Sequence, residues 1–180
     1  MSALTWHEAH SFAFWAGYQE RMLSGREANS FTEPGGSAGG VQAITYSHAG
    51  VALGPDDALV VEIDADAAPL WDVQLYNRPW YEALDFAYRS TSTNHRMAAA
   101  GADGTVRVVI SARDTGAANW LDTEGREAVL ATVRWWNAPV PPSVRAQVIP
   151  LAQVSGPVSA DERRDQVRRR TAHAAWRYRT

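Results

Sequence analysis

A mainly β fold is what this sequence predicts: a jelly-roll-like antiparallel β-sandwich with one N-terminal and one C-terminal helix. Short apolar, β-branched runs recur between residues 41 and 151. Turn clusters such as Gly54-Pro55-Asp56-Asp57 separate them, and helical periodicity is confined to the two ends. Strands in series with a helix at each end argue against alternating βα units. An open antiparallel sheet packed by the two helices is the simpler alternative.

Four segments follow in order. Residues 1–24 form an N-terminal helix, with Phe12, Trp15, Tyr18 and Met22 at helical spacing over 5–23. Thr5 and Glu8 fit a capping box, and Gly25 is placed to stop the helix. Residues 25–40 are a Gly-rich linker, ending in Gly35-Gly36 and Gly39-Gly40. Residues 41–155 make the sandwich, with strands expected over 41–46, 58–63, 71–77, 105–111, 129–136 and 144–151. Asp103-Gly104 signals a hairpin between the segment 93–99 and the strand 105–111. Pro139, Pro141 and Pro142 force an extended connection to the last strand. Residues 156–180 are an Arg-rich helix of the same domain, acidic at its start and basic at its end as the helix dipole prefers.

Composition removes several chemistries. The chain of 180 residues is 46% hydrophobic and 21% charged, enough for one domain with a core. It has no cysteine, so disulfides, thiolate nucleophiles and zinc–sulfur sites are excluded. It has no lysine, which excludes Schiff-base chemistry and a phosphate-loop lysine. No Ser stands in a G-x-S-x-G elbow. Residues 1–160 carry a net charge of −7 and residues 161–180 one of +4, giving −3 for the whole. An acidic body with one basic tail is a poor nucleic-acid binder. No run is long enough to span a membrane, and the start lacks a basic, apolar leader, so a cytoplasmic protein is expected.

One stretch stands apart. Asp114-Thr115-Gly116-Ala117-Ala118-Asn119-Trp120-Leu121-Asp122-Thr123 places two acids, an amide and an indole in one polar loop, ahead of Arg134-Trp135-Trp136. It is similar to D-P-G-x-x-N-W-L-D-T-x-G followed by R-W-W, a pattern of the bacterial DUF1214 family of unknown function. Leu53-Gly54-Pro55-Asp56-Asp57-Ala58-Leu59-Val60-Val61-Glu62 and Trp71-Asp72-Val73-Gln74-Leu75-Tyr76-Asn77 also resemble that family's motifs. So do Asn29-Ser30-Phe31, Leu84-Asp85, Tyr88-Arg89 and Thr91-Ser92-Thr93-Asn94. The resemblance covers roughly three-quarters of the chain and implies a jelly-roll-like shape. Family members carry a longer N-terminal portion. If that portion contributes to a site, this chain lacks the function or completes it by self-association as a homo-oligomer.

Strand alternation assigns faces. Trp71, Val73 and Leu75 share one side of their strand, and Asp72, Gln74 and Tyr76 the other. Val129, Ala131, Val133 and Trp135 form a core side, with Thr132, Arg134 and Trp136 opposite. If these second faces line one concave surface, Gln74, Tyr76, Arg134 and Trp136 project into it. Otherwise Gln74 and Arg134 lie on a solvated face, with Arg134 paired to Asp85 or Asp122.

The expected function is small-molecule binding, with cofactor-independent acid–base catalysis (lyase, isomerase or hydrolase) on a hydrophobic or polyhydroxy metabolite. Asp85, held in an aromatic-walled and partly buried pocket, and Asp122 are the proton-transfer candidates, with Asp85 or His95 as the partner Asp122 would need. Arg89 and Arg134 stabilise developing negative charge. Trp71, Gln74, Tyr76, Asn77, Trp80, Tyr88, Asn94, Asn119, Trp120 and Trp136 are candidate substrate contacts. Structural alternatives stand beside these: an Asp85–Arg89 ion pair, and Asp122 as a loop anchor accepting backbone N–H bonds. His7 and His10, three apart on a helix, lack a third ligand at metal-binding spacing, so neither metal nor cofactor is expected. The competing function is a non-catalytic carbohydrate or small-ligand binding module. A third is a structural subunit that completes a longer relative.

Overall fold

The computed structural model describes residues 3–36, 40–78, 80–140 and 142–155, with Asp161, Arg164, Asp165, Arg168, Thr171, Ala172 and Ala175 beyond them. Helix α1 spans Ala3–Leu23. Eight strands follow: β1 (Ile44–Ala52), β2 (Asp57–Asp64), β3 (Leu70–Asn77), β4 (Ser92–Asn94), β5 (Thr105–Ser111), β6 (Trp120–Asp122), β7 (Ala128–Trp136) and β8 (Val144–Pro150). A 3-10 turn, Leu151–Gln153, ends the β region.

The strands form two four-stranded sheets, ordered β1-β7-β3-β4 and β6-β5-β2-β8. Three pairings are nested, β1 with β7, β2 with β5 and β3 with β4, while β7 also pairs with β3 and β2 also pairs with β8. The first sheet is antiparallel throughout. The second is mixed, because β6 runs parallel to β5. That corrects the expectation of a wholly antiparallel structure. A three-residue strand reached through the long 112–119 connection can enter the ladder in either direction.

Alternation places the core between the sheets. Ala49, Val51, Val73, Leu75, Val133 and Trp135 from the first sheet are buried with Leu59, Val61, Ile63, Val106, Val108 and Ile110 from the second. Burying one such side chain contributes roughly 1.5–3 kcal/mol. A smaller cluster of Ala58, Val109 and Ala117, packed by Trp120, Leu151 and Val154, covers the outer side of the second sheet.

Several boundaries differ from expectation. Strand β1 starts at Ile44, after a turn closed by Ile44 N–H on Val41 O, and continues to Ala52 because β7 offers nine paired residues. Helix α1 begins before Thr5, so Thr5 and Glu8 lie inside it rather than at its cap. Gly25, at φ 69°, does end it. The Asp103-Gly104 turn forms, with Gly104 at φ 75°, but β4 and β5 on either side belong to different sheets and make no hairpin. The helix expected over 156–180 falls mostly outside the described residues. Within them, Arg164 pairs with Asp161 and Arg168 with Asp165.

Helix α1 crosses the outer face of the first sheet. Leu23 seats on β1 at Gly50, where an added Cβ would lie 3.1 Å from Leu23 Cδ1. Phe12 stacks on Trp80 and Trp15 on Tyr81. Trp6, Phe12, Phe14 and Trp15 keep large exposed areas. No helix among the described residues is long and apolar enough to cross a membrane.

Candidate functional site

The outer face of the first sheet carries one linked set of polar and aromatic side chains. β3 and β7 are in register at Asp72↔Arg134 and Gln74↔Thr132, and β1 adds Tyr46↔Arg134 and His48↔Thr132. Six side chains therefore share one patch of sheet. Arg134 Nη1 donates to Asp72 Oδ1 at 3.0 Å. Its Nη2 donates to the Tyr76 hydroxyl, and its guanidinium carbon lies 5.6 Å from the Tyr76 ring centroid. His48 Nδ1 hydrogen-bonds with Thr132 Oγ1 at 3.0 Å. Tyr46 stacks on His48.

Tyr81 closes this patch from above. It stacks on Tyr76 with ring centroids 4.7 Å apart and on Trp15 at 5.4 Å, and its hydroxyl lies beside Thr132. Its backbone holds φ at 64°. A bulky side chain there costs roughly 1–2 kcal/mol. Tyr81 N–H donates to Asn77 O at 3.0 Å, which completes the turn after β3. Gln19, buried on α1, donates to the same carbonyl at 3.4 Å, while its Oε1 meets no partner among the described residues.

Burial governs the electrostatics of the patch. His48 is held down to about 4, first by desolvation and then by the nearby positive Arg134. At neutral pH it is an uncharged imidazole. Asp72 is raised above the usual carboxylate range because desolvation outweighs the attraction of Arg134. Tyr81 is raised as well, mainly by burial.

The sequence-derived candidates divide between this patch and others. Gln74, Tyr76, Arg134 and Trp136 lie on the outer face, as alternation places them, although Gln74 turns its amide to Leu75 O at 2.9 Å. Arg134 pairs with Asp72 rather than with Asp85 or Asp122, because register sets Asp72 directly opposite. Trp80 packs against Phe12 of α1. Asn77 donates to Glu82 Oε1 at 3.2 Å. Trp71 is buried on the core side, with Nε1 donating to Ala65 O at 3.1 Å.

A second group lies at the end of β6. Arg89 Nη1 meets Asp122 Oδ2 at 2.8 Å, and Asp122 Oδ1 accepts the Glu124 N–H at 2.7 Å. Glu124 accepts the Asp85 N–H at 2.6 Å and pairs with Arg126. Asp85 is exposed rather than partly buried, and its Oδ1 accepts the N–H groups of Ala87 and Tyr88 at 3.0 and 2.9 Å. Arg89 pairs with Asp122 and not with Asp85. Tyr88 is 77% exposed.

The remaining candidates hold loops. Asn94 Oδ1 accepts the N–H groups of Arg96 and Met97. Asn119 accepts from Ala99 N–H and donates to the carbonyls of Ala99 and Arg107, all within 2.9 Å. Trp120 Nε1 donates to Ser111 Oγ at 2.9 Å. His10 Nδ1 contacts Trp6 O, and no group of three or more His, Asp or Glu among the described residues is placed to hold a metal. Sequence reasoning placed Thr132 on this face without giving it a role, and missed Tyr46 and His48. Tyr46 and His48 alternate with Ser47 and Ala49 on β1, a signal masked by ending that strand at residue 46.

These features define a mainly β, two-sheet domain with a polar and aromatic patch beneath an N-terminal helix. The chain belongs to the family described as protein of unknown function (DUF1214), which it matches over residues 42–140. It is similar to the solved structure of an uncharacterised protein from Burkholderia cenocepacia, with 34% identity and a TM-score of 0.68. That match covers 79% of this chain and 39% of the Burkholderia protein, so the chain spans well under half of that relative. A Vibrio parahaemolyticus protein is a more distant match, with 20% identity, a TM-score of 0.45, and coverage of 58% and 31%. No curated protein matches.

Proposed function

We propose that the protein binds a small polar or polyhydroxy molecule against the outer face of its first sheet, beneath α1, and acts on it by cofactor-independent proton transfer. The observation that supports this reading is the continuous contact His48–Thr132–Tyr81–Tyr76–Arg134–Asp72. Sheet faces away from a core are ordinarily solvated and polar. Here an uncharged imidazole, two phenols and a guanidinium are packed together, and Tyr81 is held in a strained backbone conformation. Strain of that kind clusters at ligand and catalytic sites.

The roles follow from charge. Arg134, donating to the Tyr76 hydroxyl, stabilises negative charge on that oxygen as its proton passes to the ligand. Neutral His48 accepts or relays a proton through Thr132, and Tyr81 orients the ligand by stacking. We assign proton transfer to this patch rather than to Asp85 and Asp122. Their carboxylates already accept backbone N–H bonds, and Asp122 is also paired with Arg89.

A second reading, a non-catalytic binding module, is favoured by the His48 value of about 4, since a base that weak takes protons poorly near pH 7. We also read the topology as jelly-roll-like. The nesting of β1 with β7, β2 with β5 and β3 with β4 supports this, being the order of a long hairpin rolled into two sheets.

Crystals soaked in a metabolite extract test the site, with expected density against Tyr81 and His48. The captured compound is then incubated with wild type, Tyr76→Phe and Arg134→Met. Product formed by wild type alone supports catalysis, and tight binding without product supports the module. Density found only elsewhere, or a captured compound whose binding Tyr81→Ala leaves unchanged, overturns the site.

A further inference from the structure

A cleft of about 350 Å³ opens where the β2–β3 turn meets the segment that follows β4. Its size falls within the range of small-molecule sites. Small side chains create the space: Ala65, Ala68, Ala98 and Ala100 line it where larger residues would fill it. Trp71 supplies its one indole, fixed in plane by the bond from Nε1 to Ala65 O. Asp66 and His95 also line it, and neither side chain has a hydrogen-bond partner among the described residues. No arginine is among the lining residues.

The sheet separates this cleft from the patch described above. Trp71 faces the core side of β3, whereas Asp72 and Tyr76 belong to the opposite face. The two sites are therefore independent, and failure of one leaves the other standing.

We propose that this cleft binds a small apolar molecule carrying a primary amine. The apolar body lies against Ala65, Pro69, Ala98 and Ala100, over a floor closed by the buried Trp71, and removal from water drives binding. The ammonium meets the Asp66 carboxylate in a charge-assisted hydrogen bond, and His95 supplies a second polar contact. A carboxylate ligand is disfavoured, because the lining offers an acid and no guanidinium.

Phenethylamine and its uncharged analogue phenethyl alcohol are the probes, titrated into the 15N-labelled protein while the Trp71 indole and the His95 amide are followed by NMR. Saturable shifts at both positions are expected with the amine. Asp66→Asn should weaken the amine about tenfold, the loss of one charge-assisted contact, and leave the alcohol unchanged. Ala98→Phe, which fills a half-buried lining position, should abolish binding of both. Circular dichroism and a cooperative melt establish that both variants are folded. No saturable shift at Trp71 and His95, equal amine affinity in folded Asp66→Asn, or binding retained in folded Ala98→Phe overturns the proposal. Shifts confined to His48 and Tyr81 overturn it too, while supporting the site beneath α1.

Discussion

Asp72 and Arg134 stand directly opposite each other on β3 and β7 and join at 3.0 Å on the face of the sheet that points away from the core. Each side chain keeps 23% of its surface exposed, so water screens the pair only in part. Desolvation nonetheless outweighs attraction at Asp72, whose carboxyl is raised. The pair is held by its neighbours rather than by its own charge. Tyr76 accepts from the second guanidinium nitrogen, so Arg134 serves two partners. Replacing Arg134 by Met strips both at once and strands a mostly buried carboxylate. We expect a loss of about 2–3 kcal/mol, a discount on the cost of breaking a fully buried pair. Asp72→Asn, which keeps a hydrogen-bonding group, should cost about 1 kcal/mol or less. Urea unfolding of the two variants at pH 7 measures the difference. Equal losses would mean that the Tyr76 contact adds nothing.

His48 gives the fold a dependence on acid. Its folded value of about 4 lies below its unfolded value of 6.5. Such a group contributes stability that is fully present above pH 6.5 and is lost as the pH falls through the folded value. The contribution is about 3 kcal/mol. Asp72, with its raised folded value, acts in the opposite sense: folding favours its protonated form, and that contribution fades as the pH rises. Subtracting the behaviour of His48→Gln from that of wild type isolates the imidazole. Between pH 7 and pH 4 the wild type should lose about 3 kcal/mol more than the variant, read from denaturant midpoints. Parallel pH profiles would sink this account of His48.

The two faces of β3 and β7 were legible because alternation is local: a side chain's face depends only on its place in its own strand. Trp71, Val73, Val133 and Trp135 are buried together as that rule requires. Register is not local. That Arg134 meets Asp72, rather than an acid farther along the chain, depends on how two strands slide past each other. Strand β1 was cut short for a related reason. Ser47-His48-Ala49-Gly50 has the small and polar residues of a turn, yet pairing with β7 extends the strand, and Leu23 packs close over Gly50, where an added Cβ would lie 3.1 Å from its Cδ1. In the 114–123 loop, the residue types that suggested a ligand are consumed in holding the loop. Asn119 spends its amide on three backbone partners and Trp120 its N–H on Ser111.

Asp122 and Asp85 offer a contrast between a buried and an exposed acceptor. Asp122 is 6% exposed and satisfies the Glu124 N–H. Asp122→Ala orphans that donor, and a loss of about 2–3 kcal/mol follows. Asp85 is exposed and serves as a turn acceptor for Ala87 and Tyr88. Asp85→Ala should cost only about 0.5–1 kcal/mol, as for loss of a capping side chain. Thermal melts check the ranking. Asp85→Ala should also leave intact any turnover found with a captured substrate. Turnover abolished by Asp85→Ala in a fully folded protein would return proton transfer to that residue.

Tyr81 carries both the strain and the stacking of the site beneath α1, and two substitutions separate them. Its φ of 64° suits glycine and penalises every residue with a Cβ. Tyr81→Ala loses the contacts with Tyr76, Trp15 and Thr132 but retains the strain. Tyr81→Gly loses the same contacts and relieves the strain, against the greater freedom glycine gives the unfolded chain. The glycine variant should therefore be the more stable of the two by about 0.5–1 kcal/mol, although both fall below wild type. Because Trp15 rests on Tyr81, amide exchange in the middle of α1 should accelerate in both variants by the same factor. Were alanine as stable as glycine here, the backbone at Tyr81 would not be under strain. If α1 exchanged as slowly as in wild type, its docking would depend on Leu23 and Gly50 rather than on the aromatic stack.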